Sequence, residues 1–179
     1  DFYAAELGGE KIIVHSYGKL SGDASEMNER AIYAGRGRQH LDFFYHIDHV
    51  GKKTKAEIDL KGALADESKK IFRGTLDFKR GCAGSVGDEG DFAIQLDPKT
   101  KNISLPLLLC TEDDVQGNHA SSAGQLDQNT IYFLMSRGFT LEEARRIVVE
   151  ALIRPIIDGM DETIREEVLN AVREKLDRE

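Results

Sequence analysis

Apolar side chains recur with a period of two along roughly the first two-thirds of the chain and with a period near 3.6 after it. Residues 41–50 (LDFFYHIDHV) alternate apolar and polar through much of their length, which predicts a strand with one buried face. The segment 55–60 (KAEIDL) alternates again. Residues 71–78 (IFRGTLDF) predict the next strand, with Gly74 where a bend or a close backbone approach requires no side chain. The β-branched cluster at 11–16 (KIIVHS) predicts a strand, and 2–7 reads as a short extended segment. Residues 30–34, 92–96 and 103–110 add further strands, the last two separated by a turn at 97–102. Residues 21–27 read as a loop, and 81–90 is rich in glycine and small residues.

Short strands joined by turns, with no helix between them, fit a sandwich, a barrel or a solenoid, and periodicity alone does not choose. Two features lean toward a β-solenoid. Two-residue Asn-Gly or Asp-Gly hairpin turns are scarce, and the continuous apolar run 105–109 suits a strand buried on both faces. A solenoid leaves open ends, so such a core needs a cap or a partner.

After an acidic, Gly- and Asn-containing stretch the period changes. Asp127 fits an N-cap for a helix that buries Ile131, Leu134 and Met135 and stops at Gly138. Thr140-Leu-Glu-Glu143 is a capping box, opening a helix whose apolar face is Leu141, Ala144, Ile147, Val148, Ala151 and Leu152 and which Pro155 kinks or ends. Residues 161–176 predict a last helix with Ile164, Val168, Leu169, Val172 and Leu176 at heptad-like positions. The expected division is a β core over residues 1–124 and a helical segment over 125–179, the helices acting as a cap or a docking surface.

With 179 residues the chain suffices for one domain with a helical appendage. A net charge of -8 argues against nucleic acid as the main partner, because nothing would neutralise phosphates. The arginines Arg30, Arg36 and Arg38 form a local positive spot that reads most simply as a solvated turn. No apolar run approaches the roughly 20 residues of a membrane span, so no membrane role and a cytoplasmic location are expected. The absence of an initiating methionine suggests a processed chain or a piece of a longer one.

Candidate chemistry is sparse. There is no nucleophile elbow, Walker loop or Cys-x-x-Cys pair, so an enzyme is not expected. Cys110 ends an apolar strand and reads as a buried small hydrophobe, whereas Cys82, following Lys79 and Arg80, has a setting that favours thiolate. His40, His46 and His49 invite a zinc reading, but 46 and 49 differ by an odd number and on one strand point to opposite faces. His119 falls on a turn ahead of the first helix, where an imidazole either bonds nearby backbone or reaches a metal. A histidine-based metal-binding module, or a metal-dependent enzyme on a β-solenoid, is therefore the alternative reading. A plainer one is a solenoid that acts only in assembly, without a cofactor.

The run from Thr111 to Gly138 carries Asp113-Asp114-Val115, Gly117-Asn118-His119-Ala120, Gly124-Gln125-Leu126-Asp127, Tyr132-Phe133-Leu134 and Arg137-Gly138, with Phe72-Arg73-Gly74 upstream and residues 141–154 followed by Pro155 downstream. In that order these motifs resemble the SufB/SufD family, scaffolds of the SUF iron–sulfur cluster assembly system. The resemblance implies a right-handed parallel β-helix core with flanking helices, pairing of the core with itself or with another SufB/SufD-type subunit, and docking of a SufC-type ATPase through Leu141, Ala144, Ile147, Val148, Ala151, Leu152 and Pro155. It also implies a transient iron–sulfur cluster at the shared interface, with His119 as a candidate ligand. The SufB-type pattern has its functional cysteine near residues 89–91, where this chain has none, so the chain resembles the SufD-type subunit more closely.

Overall fold

The computed structural model describes residues 1–177 of the chain. Its strands are β1 (Phe2–Glu6), β2 (Lys11–Leu20), β3 (Glu26–Gly35), β4 (His40–His49), β5 (Lys55–Leu64), β6 (Lys69–Phe78), β7 (Ser85–Gln95), β8 (Lys101–Cys110) and β9 (Val115–Gln125). The odd strands form one parallel sheet in the order β1-β3-β5-β7-β9, and the even strands a second in the order β2-β4-β6-β8. Each strand pairs with the one two places along the chain, so the backbone winds through about four turns of a β-solenoid. Lys11 lies beside His40, His40 beside Lys69 and Lys69 beside Lys101, so one turn takes about 30 residues.

The period of two decides which side chains fill the lumen between the sheets. Along β4 the alternate residues Leu41, Phe43, Tyr45, Ile47 and His49 are buried, while Asp42, Phe44 and His46 face outward and are only partly covered. The same phase brings Ile58 and Leu60 of β5, and Phe72, Leu76 and Phe78 of β6, into one continuous core. Gly62 is needed where the backbone of β3 comes close: a Cβ there would overlap the Tyr33 carbonyl and ring. Turns between the sheets contain left-handed residues at recurring places, Ala24 (φ 57°), Lys53 (φ 55°) and Gly84 (φ 76°). Hydrogen bonds link each such turn to the next, as from Lys53 N to Ala83 O (3.0 Å) and from Gly84 N to Asp114 O (2.7 Å). Two of these three residues carry side chains, which is why no run of turn-type dipeptides announces them.

Three helices follow: α1 (Gln128–Ser136), α2 (Leu141–Gly159) and α3 (Glu162–Leu176). Asp127 caps α1 by accepting from Thr130 N at 2.8 Å, and Thr140 and Glu143 form the expected capping box on α2. Helices α2 and α3 pack on the outer face of the odd-strand sheet, where Ile153, Ile156, Ile157, Met160, Leu169 and Val172 close over Ile32 of β3. The strands β3 and β5 are consequently buried on both faces over their C-terminal halves.

Several sequence expectations need correction. The apolar run 105–109 is not buried on both faces: Leu105, Leu107 and Leu109 project outward and are exposed, while the partly buried Leu108 joins the core. Residues 85–90, left outside the expected strands, belong to β7, which pairs along its length with β5; Gly87 sits where a Cβ would meet Leu76, Phe78 and His49. Pro155 neither ends nor replaces a turn of α2, which continues to Gly159; both Pro155 and Ala151, whose carbonyl the ring frees, are exposed, so solvent can satisfy it. The buried face of α2 is Ala144, Val149, Ile153, Ile156 and Ile157. Leu141 and Ala151 are exposed and Ile147, Val148 and Leu152 only half-buried. Met135 of α1 and Ile164 of α3 are likewise exposed.

Candidate functional site

His119 lies within β9 rather than on a turn. The strand is the last of its sheet, and its register sets Glu89 of β7 beside His119, with Asp91 beside Ser121. Glu89 is buried and aimed across the lumen, since a Cβ on Gly74 of β6 would overlap its carboxyl group. His119 therefore occupies the lumenal side of the final turn, above Glu89, and is exposed because, among the described residues, no further turn covers it.

The lumen beneath this open end differs from the apolar core of the earlier turns. Lys70 of β6 is fully buried, paired with Asp91 and donating to the Tyr33 hydroxyl at 2.9 Å, with its ammonium 4.5 Å from the Tyr33 ring centre. Burial pulls the Lys70 ammonium below its ordinary value, and Asp91 opposes the shift. Glu89 has no such partner: among the described residues no side chain bonds either of its buried carboxyl oxygens, and the Leu107 backbone amide only partly offsets the burial. Burial, reinforced by the charge of Asp91, pushes its carboxyl up to about 8. Asp91 Oδ2, Asn102 Oδ1 and Ser104 Oγ are also buried and unpartnered. Unsatisfied polar atoms are rare in protein interiors; among the described residues five gather near this end, while Glu29 Oε2 and the Tyr45 hydroxyl of the earlier turns and His49 Nε2 are likewise unpartnered.

The other chemical candidates sit elsewhere. Cys82 is buried, and burial raises its thiol, so the thiolate expected from Lys79 and Arg80 is disfavoured. Cys110 is exposed rather than buried, because it lies on the last turn of its sheet. His49 faces the lumen, bonded to Thr54 Oγ1 at 2.7 Å and stacked on Phe78 at 4.3 Å, and burial drops it to about 4, which keeps it neutral. His46 projects from the opposite face of the same strand, next to Asp48. The three histidines at 40, 46 and 49 thus do not converge on one ion. The lumenal acids Glu89 and Asp91 were not singled out by sequence reasoning; their signal was an acidic residue at an inward position of an alternating strand.

The family model for the SUF system FeS cluster assembly SufBD core domain matches residues 1–152. The chain belongs to the SufB/SufD family. SufD of Bacillus subtilis, an iron–sulfur cluster assembly protein, is 30% identical over 158 residues, which cover 88% of this chain and 36% of that protein. A SufBD family protein of Mycobacterium leprae is 26% identical over 179 residues, covering 95% of this chain and 46% of its own length. SufB of Bacillus subtilis is 26% identical over 122 residues, 68% of this chain and 26% of that protein. The chain thus spans about a third of the SufD it matches, and His119 falls inside the segment matched by the family model.

Proposed function

We propose that this SufB/SufD-family chain is a noncatalytic scaffold whose open solenoid end pairs with a second SufB/SufD-type core, itself or a distinct subunit. A transient iron–sulfur cluster is handled at the junction, with His119 among its ligands. The observation that carries this reading is the unfinished final turn. Strands β8 and β9 are both sheet edges at the same end, β9 is exposed along nearly its whole length, and the buried Glu89 carboxyl oxygens, Asp91 Oδ2 and Ser104 Oγ lack partners there among the described residues. An exposed sheet edge is a template for strand pairing, and a second core stacked on it would bury His119 while leaving its ring available to a cluster.

The C-terminal helices dock a SufC-type ATPase. The apolar positions of α2 that do not face the solenoid, Leu141, Ile147, Val148, Ala151 and Leu152, together with Pro155, form the surface for it, whereas Ala144 is buried and serves packing instead. Closure of the ATPase would pull on α2, which is seated on β3 and β5, and so strain the core. The division into a core over residues 1–124 and a helical segment over 125–179 follows this separation of roles. For the cluster, anaerobic reconstitution with iron and sulfide of the chain with its paired core should give a visible sulfide-to-iron absorption that His119→Ala weakens. Full-strength absorption in that variant would remove His119 from the ligand set.

A further inference from the structure

The outer face of the even-strand sheet carries a second group of ligating side chains, remote in role from the lumen. His46 Nε2 and one carboxylate oxygen each of Asp48 and Asp77 lie within 4.8 Å of one another. Asp48 and Asp77 are in register on the neighbouring strands β4 and β6. Two carboxylates held side by side on a sheet repel, and these side chains are only 10% and 9% exposed. They require a cation. Lys79, just past the end of β6, supplies one now: its ammonium touches Asp77 and stands 3.4 Å from Asp48 Oδ1. Its side chain is 44% exposed and long enough to swing away. Lys19 of β2 is in register with Asp48.

We infer that His46, Asp48 and Asp77 form a binding site for a divalent first-row transition ion, for which Lys79 is a displaceable stand-in. His46 Nε2 and Asp48 Oδ1 are 3.0 Å apart, about the separation of two ligand atoms bound at right angles roughly 2.1 Å from one ion. Tyr17 completes the arrangement from β2. Its hydroxyl donates to the second oxygen of Asp48, and its ring stacks on His46 at 5.3 Å, so both ligands are held from outside. The donor set of one imidazole and two carboxylates leaves coordination positions open on the solvent side and suits iron(II), manganese(II), cobalt(II) or zinc(II) better than magnesium or calcium.

Chelator-stripped protein titrated with cobalt(II), followed by calorimetry and visible absorption, tests the site. Wild type should take up one equivalent, and His46→Ala and Asp77→Asn should each weaken uptake about tenfold or more. Lys79→Met should tighten it, and His119→Ala should leave it unchanged, which separates this site from the cluster proposed at the solenoid end. His46, Asp77 and Lys79 lie on the outer face and His119 is exposed at the solenoid end, and melting curves of the ion-free variants confirm that each is folded. No uptake by wild type, equal uptake by the His46 and Asp77 variants, or loss of the equivalent in His119→Ala would each overturn the assignment. Failure of Lys79→Met to tighten binding would do so as well.

Discussion

Replacing Glu89 with glutamine should stabilise the protein at neutral and alkaline pH while leaving it almost unchanged in acid. The folded state holds the Glu89 proton up to about pH 8, against an ordinary value of 4.5. A raised folded-state value means that the group's contribution is fully present below pH 4.5 and is lost as pH climbs toward 8, because the unfolded chain releases the proton first. Each unit in that window lowers the unfolding free energy by about 1.4 kcal/mol, so the penalty at pH 7 is roughly 3 kcal/mol. Glutamine matches the protonated acid in shape and cannot ionise, so Glu89→Gln removes the penalty. The groups acting on this carboxyl are Asp91, itself paired with Lys70, which raises its value, and the Leu107 backbone amide, which lowers it; His119 lies beside it on β9. Urea unfolding of metal-free wild type and variant at pH 5 and pH 8 gives the difference directly. The variant should gain roughly 4 kcal/mol at pH 8, equivalent to about 8–16 °C in Tm for a chain of this size, and about 1 kcal/mol or less at pH 5. An equal difference at both pH values would show that Glu89 is ionised in the folded state and refute the reasoning.

Two further outcomes concern the same lumen. Lys70→Met strands the buried Asp91 carboxylate and should cost about 3–5 kcal/mol in urea unfolding, while the double variant Lys70→Met with Asp91→Leu should recover most of it. Recovery of nothing would mean that Lys70 acts through its stem rather than its charge. Gly62→Ala drives a methyl group into the Tyr33 carbonyl and ring, and should lower stability by about 1–3 kcal/mol; a neutral result would show that β3 and β5 separate easily.

The strands and their inward residues were legible because a period of two fixes the face of each side chain once a strand is assumed. Residues 41–50 and 71–78 fell within a residue or two of β4 and β6. Pairing between strands about 30 residues apart was not legible, since no side chain on one turn names its neighbour on the next; the family motifs carried the solenoid where periodicity stopped. His119 was placed on a turn because Gly117, Asn118 and the serines after it have low strand propensity, yet the backbone of β7 offers that segment a full ladder of hydrogen bonds. Burial at the final turn was misjudged for a related reason. Leu105, Leu107, Leu109 and Cys110 look like core residues, but nothing within the described residues lies outside them. For α2, reading Pro155 as a stop hid the downstream residues Ile156 and Ile157, which set the buried face, so the row chosen from sequence was mostly the opposite one.

That opposite row gives the most direct test of the scaffold account. Removing the helices would expose Ile32 and the apolar outer face it shares with them, so point variants are the cleaner tool. Wild type and the double variant Leu141→Glu with Ala151→Arg, both changed only at exposed positions, should be co-purified with the SufC-type ATPase from the same cell. The account predicts stable retention of the ATPase by wild type and its loss in the variant at an unchanged melting temperature. Retention by both, or by neither, would contradict it.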